Sequence, residues 1–341
     1  MIKKNFAFLL ICLFFVAIIT SACGGGGKTT PPDNSAFYYL LAQQNANNNE
    51  QEQQNEPTPD PSQTLPTLEV SKSELSLIVG SSEDITVTLE GKTVTEGLKY
   101  DVKEPEVAKV ENGKVTALAK GSTTVTVSLE GANSAVFTVE VVGKGDYIEF
   151  GHYRQTGNAE NAEEWKPQSI EWQVLSIDTA NNRVLVVSRY GLDAKCFDDD
   201  SNGSLTNIWA GSEICSWLNG YFYNTAFNDT EKGFIKPVDI VFNNDGSDDY
   251  DFNKATYNVF LLSKAEAEKY FANADARRCE PTTYAVNNGA TVYDGYSFWW
   301  LRSPCPNLSS YVYCVGNGGR VHDYLVYGTN DLVRPALWIN L

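Results

Sequence analysis

The sequence predicts a multidomain protein in which an all-β sandwich is followed by an α+β domain. Three observations support this fold class. Short, evenly spaced β-prone runs fill the region from Leu68 to Val142, and such spacing is typical of β-sandwiches. After Tyr147, β-prone runs are mixed with amphipathic helical stretches. The chain has 341 residues, which is enough for more than one domain.

The N-terminus predicts export and lipid anchoring. Lys3 and Lys4 precede the apolar run Phe6–Ile19, which has the length of a signal-peptide core. The small residues before Cys23 resemble the lipobox of bacterial lipoproteins, although Thr20 stands where that family usually has Leu. The resemblance implies a lipoprotein signal peptide over residues 1–22, lipidation at Cys23, and a lipid-anchored location in the bacterial cell envelope, at its outer surface. A plain cleaved signal is the alternative.

Residues 23–66 are predicted to form a disordered tether. The segment is dominated by Gly, Asn, Gln, Glu, Pro and Thr, and such a composition buries too little apolar area to offset the loss of chain entropy. A tether of this kind would separate the lipid from the folded domains.

Residues 67–143 are predicted to form the β-sandwich domain. Its β-prone runs are Leu75–Val79, Ile85–Leu89, Val115–Leu118, Thr123–Val127 and Ala135–Val141, with a turn at Asn112-Gly113. The stretch Val107–Val127 resembles the signature of group 2 bacterial Ig-like domains. The resemblance implies an Ig-like sandwich that acts as a spacer, with an adhesive module as the alternative.

Residues 146–341 are predicted to form the second domain. A strand begins at Ile148–Gly151, and Ile170–Ile177 pairs with Arg183–Ser188 as a hairpin. Ser212 and Ser263 are predicted N-caps of helices that run to Leu218 and to Phe271. A weaker helix is predicted over Asp229–Ile235 and a buried strand over Val259–Leu262.

Several blocks of this second domain resemble a bacterial domain family without an assigned function. They include Ile148–Gly151, Ile170–Leu175, Val259–Ser263, Trp299–Pro304 and Arg334–Ile339. The closing pattern is also similar to the C-type lectin-like fold of the formylglycine-generating-enzyme type. This resemblance implies an α+β C-type lectin-like domain that binds a ligand.

The segment 303–333 has an unusual composition. It lacks Lys, Glu, Gln, Met and Trp and is rich in Tyr, Gly, Asn, Ser and Val, as binding loops are. The same five residue types are those that no codon ending in C encodes. The segment therefore resembles the variable regions of lectin-fold proteins diversified by bacterial retroelements. An ordinary polar hairpin is the alternative.

We expect this segment to bind a ligand on a fixed frame. The frame is predicted at Trp300, Arg302, Arg334, Pro335 and Trp338, and Trp172 and Trp217 are also expected to be buried. Val312, Val315, Val321, Val326 and Val333 should point inward, with a turn at Gly319. The predicted contact residues are Asn307, Ser309, Tyr311, Tyr313, Asn317, Arg320, His322, Tyr324, Tyr327, Asn330 and Asp331.

Composition and motifs exclude several other functions. The net charge of −17 disfavours nucleic acid as a partner. With two histidines and no paired Cys motif, we expect no metal site, and we expect no cofactor. The acidic run Asp198–Gly203 lacks the closing Glu of a calcium loop. The same expectation applies to the acidic run Asp245–Asp251. Both are expected to be solvated turns.

The sequence thus predicts a surface lipoprotein that is not an enzyme and that binds an external protein or glycan. One alternative is a passive structural envelope protein. Another is a formylglycine-generating-type oxidase that uses Cys305 and Cys314, and the pairing of the five later cysteines stays open.

Overall fold

The computed structural model describes residues 64–156, 166–199, 205–240 and 255–341. The predicted signal peptide 1–22 and the lipidation candidate Cys23 lie outside these ranges. So do most of the predicted tether 23–66 and the acidic segments 200–203 and 245–251.

The N-terminal part of the described chain is entirely β, as predicted. Its strands form three small sheets with the orders β1-β4-β5, β2-β10-β9-β6 and β3-β8-β7. The strands are β1 Leu68–Val70, β2 Glu74–Ile78, β3 Ser82–Asp84, β4 Val87–Leu89, β5 Lys92–Val94, β6 Lys99–Val102, β7 Ala108–Glu111, β8 Lys114–Ala117, β9 Gly121–Ser128 and β10 Ala135–Val142. Alternate residues of β9 and β10 are buried, because successive side chains of a strand point to opposite faces.

The predicted turn at Asn112-Gly113 joins β7 to β8. Both residues have positive φ, 51° for Asn112 and 81° for Gly113. That pair of conformations is the signature of the tight hairpin turn that Asn-Gly favours. The local sequence therefore sets the register of this hairpin, in which Glu111 lies opposite Lys114.

The C-terminal part contains two five-stranded sheets, with the orders β11-β12-β13-β22-β15 and β14-β21-β18-β19-β20, and a two-stranded sheet, β16-β17. Their strands are β11 Tyr147–Arg154, β12 Pro167–Asp178, β13 Arg183–Ser188, β14 Asp193–Ala194, β15 Ile235–Lys236, β16 Val238–Ile240, β17 Ala255–Tyr257, β18 Trp299–Pro304, β19 Tyr311–Val315, β20 Val321–Leu325, β21 Leu332–Val333 and β22 Ala336–Asn340. The predicted hairpin of β12 with β13 is confirmed.

Short helices connect these strands. They are α1 Glu213–Trp217, α2 Tyr223–Ala226, α3 Asp229–Phe234, α4 Lys264–Tyr270, α5 Ala274–Arg277 and α6 Thr283–Asn287, with a π-helical turn at Leu218–Phe222 and 3₁₀ turns at Thr179–Asn181 and Trp209–Gly211. Both predicted serine caps are confirmed. Ser212 accepts from the Cys215 N–H, and Ser263 forms a capping box with Glu266.

The run Val259–Leu262 is buried, as predicted, but the prediction that it forms a strand is wrong. All four residues are buried, but only Phe260 forms a bridge, with Ala336. The Leu262 carbonyl accepts from the Arg302 N–H at 3.0 Å. The run is apolar because it crosses the core, and burial alone does not supply a continuous sheet partner.

The predicted tryptophan frame is confirmed in part. Trp172 and Trp300 are fully buried. Trp217 and Trp338 are only partly buried, and each carries a cation over its ring: Lys195 at 4.8 Å and Arg183 at 4.5 Å. A cation can cover an aromatic face while keeping its own charge hydrated, which explains why these two rings need not enter the core.

The two β-rich regions are continuous in the structure. The larger core cluster, centred on the C-terminal sheets, also contains Ile78 and Val142 of the N-terminal region. The Gly145 N–H donates to the Val174 carbonyl at 2.8 Å. Among the described residues, no helix has the length and apolar character required to cross a membrane.

Candidate ligand-binding surface

The segment 303–333 contains a hairpin at the edge of a sheet. Strands β19 and β20 pair antiparallel, and β20 is the last strand of its five-stranded sheet. The turn between them is closed by the Gly316 N–H, which donates to the Arg320 carbonyl at 2.8 Å. The hairpin therefore presents one strand edge and two faces.

The turn is fixed against helix α5. The Arg277 side chain donates to the Gly319 carbonyl at 2.9 Å, and Arg278 donates to the Asn317 carbonyl at 3.1 Å. Gly319 has a φ of +76°, and a Cβ there would lie 1.7 Å from the Ala274 carbonyl oxygen. The predicted turn role of Gly319 thus has a second cause, which is close backbone contact.

The strand register divides the predicted contact residues between the two faces of the hairpin. Cys314 lies opposite His322 and Val312 lies opposite Tyr324. Paired residues share a face, and neighbours along a strand alternate. His322 and Tyr324 therefore lie on one face. Tyr311 and Tyr313, which are partly buried, lie on the other, where Lys264 sits 4.3 Å above the Tyr313 ring.

The face of His322 carries an exposed group of rings that we call the aromatic cluster: Tyr293, Phe298, His322 and Tyr324. Phe298 is its centre, with ring centroids 6.0 Å from Tyr293, 6.3 Å from His322 and 6.1 Å from Tyr324. Tyr324 is 43% exposed. These rings offer a ligand both apolar area and polar groups at their edges.

Two glycines make room for the aromatic cluster. A Cβ on Gly316 would lie 2.6 Å from the Phe298 ring and 2.9 Å from His322, and a Cβ on Gly328 would lie 2.6 Å from the Tyr324 ring. All three distances are below ordinary contact, so the rings rest directly on backbone. The glycine content of the segment is therefore part of how the cluster is held.

Other predicted contact residues surround the hairpin. Asn307 and Ser309 are exposed in the loop before β19, with Asn307 at a φ of 61°. Arg320 is exposed beside the turn, and Asn317 is partly buried within it. Tyr327, which is 50% exposed, and Asn330 lie in the loop after β20.

Asp331 corrects the prediction of a surface contact residue. Its side chain is 3% exposed, and its Oδ2 atom has no hydrogen-bond partner among the described residues. Burial raises the pKa of Asp331 to about 7, because a desolvated carboxylate is costly. Its backbone carbonyl accepts from the Lys195 N–H at 3.2 Å. Asp331 therefore belongs to the support of the hairpin.

The frame beneath the hairpin is built from buried tryptophan and arginine. The Trp300 indole donates to the Lys195 carbonyl at 2.8 Å. Arg302 donates to the Leu261 carbonyl at 2.8 Å and pairs with Glu266. Arg334 donates to the Ser188 carbonyl at 2.9 Å, and Pro335 is buried. Four of the five predicted inward valines are fully buried, whereas Val321 is only partly so.

The cysteines are thiols in buried surroundings. Cys196, Cys215, Cys279, Cys305 and Cys314 are all unpaired within the described residues. Burial raises the pKa of Cys305 to about 11, and that of Cys314 is raised for the same reason. A protonated thiol is a poor nucleophile, so neither residue has the environment of an activated cysteine.

One group of side chains approaches the spacing of a metal site. Cys196, Asp199 and Glu213 each place a ligand atom within 4.8 Å of the others. Burial, followed by a hydrogen bond with Asp199, raises the pKa of Glu213. A raised pKa means that Glu213 gives up its proton less readily, and a cation would have to displace that proton in order to bind.

The C-terminal region matches a known family model. Residues 181–341 match a domain of unknown function, DUF6273. Residues 87–141 match the N-terminal β-sheet domain of hyaluronate lyase, in agreement with the all-β N-terminal region. A comparison with curated proteins finds no match. The DUF6273 match includes the hairpin, the aromatic cluster and the frame.

Sequence reasoning missed Tyr293 and Phe298. Both precede the segment of unusual composition, so its composition gave no indication of them. Asp294 and Gly295 have φ values of 50° and 84°, and the Tyr293 N–H donates to the Tyr296 carbonyl at 2.7 Å. The signal for this turn was the Tyr-Asp-Gly-Tyr sequence, but only the fold brings it beside β20.

Proposed function

We propose that the protein is a surface-anchored bacterial lipoprotein that binds an external protein or glycan through the aromatic cluster and the loops beside it. The observation that carries this proposal is an exposed set of rings at a sheet edge, placed on a buried frame. Partly exposed Tyr and His side chains offer contact area at a small cost in conformational entropy. The frame keeps the rings in one arrangement before the ligand arrives.

The proposal narrows the contact surface to one face of the hairpin. Of the contact residues predicted from the sequence, His322, Tyr324 and Tyr327 are central to this surface. Tyr293 and Phe298 are added to it from the structure. Tyr311 and Tyr313 are excluded from the same contact, because the register places them on the opposite face. Within the proposal, the C-terminal domain has the C-type lectin-like fold that the sequence blocks resemble.

The direct test is a protein and glycan array probed with the full chain. We expect Tyr324→Ala to weaken binding by roughly 2 kcal/mol or more, as at other aromatic anchors, which is about thirtyfold in affinity. Tyr221→Ala is the matched control, since Tyr221 is an exposed tyrosine outside the segment. An array without any bound ligand, or equal binding by Tyr324→Ala and the wild type, contradicts the proposal.

Diversification by a retroelement is a separate part of the proposal. It is supported by the absence of Lys, Glu, Gln, Met and Trp from residues 303–333. We expect a near-copy of the coding segment beside a reverse transcriptase gene, differing mainly where the copy has adenine. Sequencing the locus checks this. A locus without such a copy would leave a fixed binding surface and remove the diversification.

A further inference from the structure

A polar cavity lies outside the aromatic cluster and outside residues 303–333. It has a volume of about 270 Å³ and is lined by Arg189, Arg278, Arg334, Tyr190, Tyr296 and Glu280, among others. Three arginines and one glutamate line it, and one of the arginines, Arg189, is also paired with Glu171 outside the lining. The site is therefore positive, in a chain whose net charge is −17. A concentrated positive charge in an acidic protein requires an explanation.

Arg334 supplies the buried part of this charge. It is 3% exposed, and its guanidinium donates to three backbone carbonyls, those of Ser188 at 2.9 Å and of Arg277 and Arg189 at 3.4 Å. Among the described residues, no carboxylate forms an ion pair with it. Its guanidinium also lies over the rings of Trp299 at 5.0 Å and Phe271 at 5.2 Å, which stabilise the cation without cancelling its charge. An anion placed beside this buried charge would be attracted to it with little screening.

The two outer arginines lie over tyrosine rings. The Arg278 guanidinium lies 3.5 Å from the centroid of Tyr296, and Arg189 lies 5.0 Å from that of Tyr190. Stacking uses the face of the guanidinium and leaves its N–H groups pointing outward in the plane. Arg278 uses Nε for the Asn317 carbonyl, and Arg189 uses one terminal nitrogen for Glu171. Within the part of the chain that the structure describes, the other N–H groups of these two arginines have no hydrogen-bond acceptor.

We propose that this cavity binds the carboxylate of a small organic acid, such as a sugar acid. The planar fork of arginine matches a carboxylate with two parallel hydrogen bonds. The tyrosines and Gln173, which also line the cavity, would contact the body of the molecule. The site shares no residue with the aromatic cluster, and the inference does not rest on the function proposed above, although Arg334 belongs to the frame and Arg278 also holds the hairpin turn through the Asn317 carbonyl.

The test titrates the purified full chain with glucuronate at constant ionic strength, followed by calorimetry. Glucose is the neutral ring control, and sulfate and phosphate are the inorganic arms. We expect glucuronate to bind and glucose not to bind. Arg278→Gln should weaken glucuronate binding at least about tenfold, as expected for the loss of hydrogen bonds to a charged group. Arg189→Gln should weaken it in the same direction.

Arg183→Gln is the matched control variant, since Arg183 also stacks on an aromatic ring, Trp338, but does not line the cavity. It should bind glucuronate like the wild type. Circular dichroism of each variant verifies folding, and Arg278 and Arg189 are suitable because neither is fully buried. Absence of glucuronate binding, binding of sulfate or phosphate alone, or unchanged binding by both cavity variants would overturn the proposal.

Discussion

At the scale of single residues, burial changes the chemistry of groups that the sequence presents as ordinary polar ones. Asp331 lies in a Thr-Asn-Asp run that has the composition of an exposed loop, yet its carboxyl group is buried and half unsatisfied. The pKa of Tyr324 is raised first by its own burial and second by the charge of Asp331. The buried acid is thus electrostatically connected to the exposed ring above it.

Asp331 predicts a dependence of stability on pH. Its folded pKa of about 7 lies above the ordinary aspartate pKa of 3.8, so the folded state holds the proton more tightly than the unfolded state. Its contribution is therefore favourable below about pH 4 and is lost as the pH rises towards and past 7. We expect Asp331→Asn to increase the free energy of unfolding at pH 8, on the order of a few kcal/mol, with little change at pH 4.

Urea unfolding of both proteins at pH 4, 6 and 8 measures this effect. The informative quantity is the difference between wild type and variant at each pH, because the other titrating groups are common to both. A difference that stays constant across this range would show that Asp331 is ionised in the folded protein.

At the scale of elements, the strands and helix caps were predictable from the sequence. Which residues lie on each face of the hairpin of β19 and β20 was not predictable. The turn expected at Gly319 and the valines expected to point inward indicated strands on both sides of that turn, where β19 and β20 lie. The Ser caps predicted α1 and α4. The register that separates Tyr311 from Tyr324 depends on the turn, whose geometry is set by contact with α5. The strand predicted over Val259–Leu262 was wrong for a similar reason, because apolar composition does not show whether a run has another strand to pair with.

The turn at residues 316–320 provides a prediction at this scale. Gly319→Ala should destabilise the protein by more than about 2 kcal/mol, because it combines a positive φ with a clash against Ala274. Gly318→Ala is the adjacent control, since nothing lies within 4 Å of its Cβ position. Equilibrium denaturation compares the two. Equal stabilities would mean that the turn moves away from α5 at no cost.

At the scale of the whole molecule, the proposed lipid anchor depends on a short N-terminal sequence, whereas the folded regions depend on patterns along the rest of the chain. The sequence predicted two β-rich regions with short connections, and the structure contains them. It did not predict the cavity between Arg189, Arg278 and Arg334, because these residues are far apart in the chain and meet only through β13, α5 and β22. Charge composition alone indicated an acidic surface.

Lipid anchoring is the prediction that concerns the whole molecule. In cells labelled with a radioactive fatty acid, we expect Cys23→Ala to abolish the label on the protein, because the lipid is attached through this thiol. Cys12→Ala is the control, since Cys12 lies inside the predicted signal peptide, and it should retain the label. Undiminished label on Cys23→Ala would refute the anchor.

The position of β20 at the end of its sheet also affects solubility. Along its outer side the strand exposes backbone groups that a second chain could pair with, which is a known route to aggregation. His322 and Asp323 are exposed on this strand, and charge on an edge strand opposes such pairing. Replacement of Asp323 by an apolar residue would remove this protection. A substitution on β20 can therefore change the tendency of the protein to aggregate, independently of its effect on the proposed ligand binding.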